Sequence, residues 1–175
     1  LIINSFFSIF KHRNFFKDEN TKLSTFIIIA SIPILLLGLF IKLFWPGFSD
    51  SHFRGLFSIA IISIIMSFLL ALSEIYGRRN KLFSDIKLLD IIFIGISQTL
   101  AILPGVSRSG VTLTSALFSG IERKTAARLS FLVGIPAISL SGLVEFFTLF
   151  RTLSSIDILP TIIGIISSFF SSLFA

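Results

Sequence analysis

With 175 residues, 54% of them hydrophobic, and a mean hydropathy of +0.98, the chain carries more apolar surface than a soluble domain of this size hides. The formal charge of +6 would suggest nucleic acid in a soluble protein; here it is better assigned to loops that face anionic lipid headgroups, with no nucleic-acid partner. No cysteine is present, which excludes disulfides and thiol chemistry, and two histidines do not make a convincing metal cluster.

The fold class read from this pattern is all-α: a polytopic integral membrane protein with a re-entrant broken-helix hairpin. Leu1–Phe10 reads as the end of a membrane helix, and the sequence stops at Ala175 while still apolar. A piece of a longer protein is therefore expected, forming a single membrane domain over 1–175. Lys11 to Lys22 is a polar, mostly basic loop in which His12, Asp18 and Glu19 are solvated.

The first complete span covers about 25–44, with Pro33 and Gly38 inside it, which membrane helices tolerate when neighbours compensate. Lys42, Trp45 and Pro46 mark its interfacial end. The second span covers about 53–76. Ser63, Ser67 and Ala71 fall on one face, a stripe suited to close helix packing, and Glu74 follows as either an interfacial residue or part of a polar interior. A basic loop over 77–87 comes next.

The segments at about 88–103 and 110–119 are both too short for a comfortable crossing, which needs about twenty residues. A V-shaped re-entrant pair fits their lengths. Non-helical backbone at membrane depth requires a protein-lined or wet cavity. Glu122 to Arg128 is a basic connection, followed by a span at about 129–150. Ser130, Gly134, Ala137, Ser141 and Glu145 repeat along one of its faces, and Glu145 is either interfacial or a polar support for a site. Asp157 can cap the last span, 158–175, with Pro160 in its first turn and Gly164, Ser168 and Ser172 along one side.

Orientation follows from the lysines and arginines in the loops: four in 11–22, four in 77–87 and three in 120–128, against two in 42–54 and one in 148–157. The first three loops read as cytoplasmic. Two consecutive basic loops flank the broken element, so it leaves and returns on one side, either as a hairpin or as two full crossings. A faint repeat links Ser31-Ile32-Pro33 with Gly134-Ile135-Pro136; chance is a fair explanation of so short a match.

The chemistry concentrates at Pro104-Gly105-Val106-Ser107-Arg108-Ser109-Gly110-Val111-Thr112. Pro104-Gly105 stops the first arm, and Ser107 or Ser109 caps the second. A helix start offers unsatisfied N–H groups and the positive end of the dipole. Arg108 adds a planar fork of donors, and Ser107, Ser109 and Thr112 add hydroxyls. A phosphate or diphosphate fits this elbow; a tight loop with a snorkelling arginine and locally bonded serines fits it equally well.

The run from Ile94 to Thr112, with Ala126-Ala127-Arg128-Leu129-Ser130-Phe131-Leu132 and Ile135-Pro136-Ala137 after it, resembles the bacterial undecaprenyl-diphosphate phosphatases of the bacitracin-resistance type. The resemblance covers most of the chain, and its Pro-Gly-x-Ser-Arg-Ser-x-x-Thr part is highly specific. It implies an enzyme of the bacterial cytoplasmic membrane that hydrolyses undecaprenyl diphosphate to undecaprenyl phosphate and phosphate, recycling the lipid carrier for peptidoglycan synthesis.

By this likeness Gly105, Ser107, Arg108, Ser109 and Thr112 bind the diphosphate, with Arg108 and Ser107 as catalytic candidates. Gln98 and Pro104 match supporting positions, and Glu145 is added as a polar support from its stripe. The resemblance also implies a divalent cation, Mg2+ or Ca2+. The family's glutamate-rich signature, which ends in serines and a histidine, is absent; His12 and His52 do not match it, so metal ligands and nucleophile are expected outside this chain. The expected partners are a polyprenyl diphosphate and membrane lipids, with a homodimer left open. A transporter or lipid flippase with an anion site at the same break is the rival.

Overall fold

The computed structural model describes residues 19–45, 47–48, 55–152 and 158–174. The expectations for Leu1–Phe10, His12, Asp18, Pro46, His52 and Asp157 lie outside the described residues. Helix α1 is Glu19–Phe44, α2 is Leu56–Tyr76, α3 is Leu88–Gln98, α4 is Arg108–Phe118, α5 is Arg123–Thr152 and α6 is Ile158–Phe174. A short 3-10 turn at Thr99–Ile102 extends α3 towards α4. The chain divides into two compact units, Leu1–Ala137 and Ile138–Ala175, with the boundary inside α5.

Among the described residues three helices are long and apolar enough to cross a bilayer: Thr21–Phe44, Leu56–Tyr76 and Arg123–Thr148, with mean hydropathies of 2.6, 2.5 and 1.8. The protein is an all-α, multi-pass membrane protein with a broken-helix re-entrant hairpin. Large apolar side chains such as Leu36, Phe57, Ile64 and Phe68 face outward, as a lipid-embedded surface requires.

Two helices start earlier than the sequence expectation. In α1, Thr21, Leu23 and Ser24 are already buried. Lys22 is held rather than solvated: its Nζ donates to the carbonyls of Phe83 (3.2 Å) and Ser84 (2.7 Å) and lies over the Phe26 and Phe83 rings. In α5 the basic run 123–128 is itself helical. Ala126 N–H donates to the Glu122 carbonyl at 2.8 Å, and Ala126 and Leu129 are buried, so good helix formers on a packed face override the charges around them.

The core of the first unit gathers Phe26, Ala30, Ile91, Ile94, Leu117, Leu129 and Val133. α1 runs beside α3, and the two backbones come close at Gly95. A Cβ there would lie 2.8 Å from the Ala30 carbonyl oxygen and 2.9 Å from its Cα, so only glycine admits this crossing. One residue further along α1, the Ser31 hydroxyl donates to Ile27 O at 2.7 Å and to Val133 O of α5 at 3.4 Å. The small-residue face of α5 is buried at Ser130, Gly134 and Ala137. In the second unit its continuation, Ser141 and Glu145, is exposed, and so is most of α6.

The broken element is a hairpin closed at its base. α3 packs on α4. Lys81, ahead of α3, pairs with Ile121, after α4: Lys81 N–H donates to Gly120 O and Glu122 N–H to Lys81 O, both at 2.9 Å. Asp90 fixes the start of α3, accepting from Lys87 N–H at 2.9 Å and pairing with Lys81 Nζ at 3.0 Å. At the same end Glu74 of α2 pairs with Arg79 (3.2 Å) and with Arg123 (3.3 Å) of α5, which makes it an ion-pairing residue near the surface. Together with Lys22 on Phe83 and Ser84, these contacts bring the α1 start and the basic loops 77–87 and 120–128 to one end. Cysteines replacing Arg78 and Lys124 in the full-length protein are accordingly expected to react with an impermeant thiol reagent from the same membrane face. Reaction from opposite faces would mean an odd number of crossings between the two loops and would overturn the hairpin.

Candidate functional site

The elbow is built in three steps. The 3-10 turn after α3 closes with Leu103 N–H on Leu100 O at 3.0 Å, and a tight turn follows with Val106 N–H on Leu103 O at 3.2 Å. Pro104 and Gly105 occupy the middle of that turn. Gly105 has φ +94°, a left-handed conformation that L side chains avoid. It is also pressed against α2: a Cβ would lie 2.8 Å from Ile59 O and 3.2 Å from Ser63 Oγ, while Ser63 donates to Gly105 O at 3.2 Å. Ser63 belonged to a predicted packing stripe; its partner is a carbonyl of the elbow, which no local pattern announces.

Ser107 then caps α4. Its backbone is extended (φ −70°, ψ 120°), its Oγ accepts from Gly110 N–H at 3.2 Å, and its carbonyl accepts from Val111 N–H at 2.9 Å. Ser109 Oγ lies 3.4 Å from Ser107 Oγ. The N–H groups of Arg108 and Ser109 have no acceptor within the helix, which leaves two donors at its positive end. Thr112 sits one turn further in, fully buried, and its hydroxyl donates to Arg108 O (3.0 Å) and Ser109 O (3.2 Å). It braces the first turn from behind. Ser107, Arg108 and Ser109 thus share the helix start, and Thr112 lies under them.

Arg108 differs from the other basic residues with described partners. Arg79 and Arg123 pair with Glu74, and Lys81 pairs with Asp90. Arg108 enters none of the ion pairs found among the described residues, and its Nε is buried without a hydrogen-bond partner. α4 rises about 1.5 Å per residue over 11 residues, so the elbow stands roughly 16 Å from the hairpin base, a distance comparable to half of a hydrocarbon layer of about 30 Å. A half-buried, unpaired guanidinium inside a membrane is costly, and such residues mark ligand or ion sites there. Gln98, the last residue of α3, is also buried with both amide atoms unpartnered.

The family profile described as "Bacitracin resistance protein BacA" matches residues 1–175. The chain belongs to the BacA family. It is 74% identical over 175 residues to an undecaprenyl-diphosphatase of Prochlorococcus marinus strain NATL1A, a match covering 100% of this chain and 63% of that protein. An undecaprenyl-diphosphatase of strain NATL2A is 73% identical with the same coverage, and one of Synechococcus sp. strain RCC307 is 47% identical over 151 residues, 86% of this chain and 53% of its own. The chain therefore spans less than two thirds of the length of these relatives. As a BacA-family protein it is a multi-pass protein of the bacterial inner membrane.

The elbow does not fit a divalent cation by itself, because its groups are hydrogen-bond donors and an arginine. Among the described residues no three His, Cys, Asp or Glu side chains gather to hold a metal. Glu74 and Asp90 are occupied by cations at the hairpin base, and Glu145 is an exposed residue of the second unit.

Proposed function

We propose that the full-length protein hydrolyses undecaprenyl diphosphate to undecaprenyl phosphate and phosphate, with this elbow as the clamp on the diphosphate. The observation that carries the proposal is Arg108: a guanidinium outside every ion pair among the described residues, its Nε buried without a partner, set at a capped helix start that bears the family's phosphate signature. Water supplies the oxygen that ends on the released phosphate, and the bridging P–O bond breaks.

Arg108 and the open N–H groups of Arg108 and Ser109 bind the phosphate oxygens and stabilise the charge that builds on them as the bond breaks. Ser107 and Ser109 hydroxyls, at the rim of the elbow, hold further oxygens in line. Thr112 keeps the Arg108 and Ser109 carbonyls in place and so fixes the direction of the donors above them. The outward-facing apolar side chains let the polyprenyl tail lie among lipid.

The divalent cation implied by the family likeness would take its ligands from outside this chain. The basic loops serve the membrane surface rather than nucleic acid; whether two copies associate is an outcome for size measurement in detergent. Phosphate release from a polyprenyl diphosphate by the full-length protein tests the proposal; movement of the lipid across vesicles with no phosphate released would replace it by a flippase. The 175 residues alone are expected to release none, because they bring no carboxylate cluster to Arg108 among the described residues. Turnover by that purified chain would place the whole machinery within it.

A further inference from the structure

α3 ends on a side chain that the fold encloses without a partner. Gln98 is 0% exposed, and neither its Nε2 nor its Oε1 makes a hydrogen bond. A buried polar group left so forfeits its hydration for no return, and native folds rarely tolerate it. Neighbouring hydroxyls escape the penalty by bonding back into their own helices, as Ser31, Ser73, Thr114 and Ser115 do.

Position makes the choice of glutamine stranger still. Gln98 lies on the buried face of α3 with Ile91, Ile94 and Gly95, at the spacing where helix periodicity asks for an apolar residue. A leucine would occupy similar space without the cost.

Among the described residues the other buried side-chain atom without a partner is Arg108 Nε, just beyond the same elbow and on the helix that α3 packs against. What the two groups lack matches. Arg108 Nε–H and Gln98 Nε2–H2 are donors in want of acceptors, and phosphate oxygens are acceptors only.

We propose that Gln98 is a phosphate-binding residue of the elbow, which rests on the diphosphatase reading: its Nε2 donates to an oxygen of the diphosphate that Arg108 holds, and its Oε1 accepts a hydrogen bond from a water that solvates the ligand. Its neutrality suits the place. The amide adds donors from the α3 side without a second charge to bury.

The test compares wild type, Gln98→Leu and Gln98→Glu in the full-length protein in detergent. It reads ligand-free Tm, the Tm gain on adding inorganic diphosphate, and kcat/KM for phosphate release. Gln98→Leu should raise the ligand-free Tm by about 2–4 °C, because the unpaired amide is gone. The same variant should lose roughly tenfold in kcat/KM. Gln98→Glu keeps the shape but sets a negative charge against the ligand, so it should abolish the Tm gain that diphosphate gives wild type. A Gln98→Leu protein with a lowered ligand-free Tm would overturn the proposal, since the amide would then serve a partner in the fold. Unchanged kcat/KM in that variant would overturn it as well. Wild type that neither releases phosphate nor responds to diphosphate would strike the diphosphatase reading itself, and the inference with it.

Discussion

Replacing Arg108 by lysine in the full-length protein is expected to lower kcat/KM for phosphate release about a hundredfold, the rate equivalent of losing one well-placed oxyanion donor worth roughly 3 kcal/mol. Lysine keeps the charge. It loses the planar fork that meets two phosphate oxygens together, and it loses the Nε–H that the structure buries without a partner. Because those bonds strengthen as charge moves onto the phosphoryl oxygens, the loss should fall on kcat as well as KM. Lys124→Gln, at an exposed position on the basic end, should leave turnover within about twofold, as surface substitutions do. Steady-state kinetics with folding checked by size-exclusion profile decide the matter. Near-normal turnover of Arg108→Lys would reduce Arg108 to a snorkelling loop residue.

Gly105→Ala should be nearly as damaging, although it removes no functional group. The residue holds φ +94°, where a Cβ is strained whatever the space around it. That Cβ would also meet the Ile59 carbonyl oxygen at 2.8 Å, a backbone atom of α2 that cannot rotate away. Strain and collision together should cost on the order of 3 kcal/mol. The turn must open or α2 must withdraw, and either breaks the 3.2 Å bond from Ser63 to the Gly105 carbonyl. The expected result is a lowered Tm together with at least a tenfold loss of phosphate release, since the donors at the α4 start depend on the turn before them. An alanine variant with wild-type Tm and turnover would show that the elbow is soft and that its shape does not matter to the site.

The break in the helix was legible because Pro104-Gly105 and Ser107 act through local rules. Proline removes a donor, glycine supplies the left-handed turn, and a serine caps the next helix. Segment length and the placement of lysine and arginine carried the hairpin in the same way. The early starts of α1 at Glu19 and α5 at Arg123 were hidden, because charged first turns look like loops until burial of Thr21 and Ala126 shows which face is packed. Ser63 was visible as a small residue, but its bond to Gly105 spans 42 positions and depends on how α2 lies against the hairpin. Glu74 fits two roles from its position in the sequence, and its ion pairs with Arg79 and Arg123, which depend on the fold, decide between them. Gln98 is the extreme case: its identity is plain in the sequence, but that nothing bonds its amide is a property of packing alone.

Everything proposed for the elbow depends on its binding diphosphate, and titration calorimetry of inorganic diphosphate into the full-length protein, wild type and Arg108→Lys, measures that binding without catalysis. Saturable binding by wild type is expected, with binding at least tenfold weaker in the variant. Equal affinity in the two proteins would contradict the assignment and move the phosphate site away from Arg108.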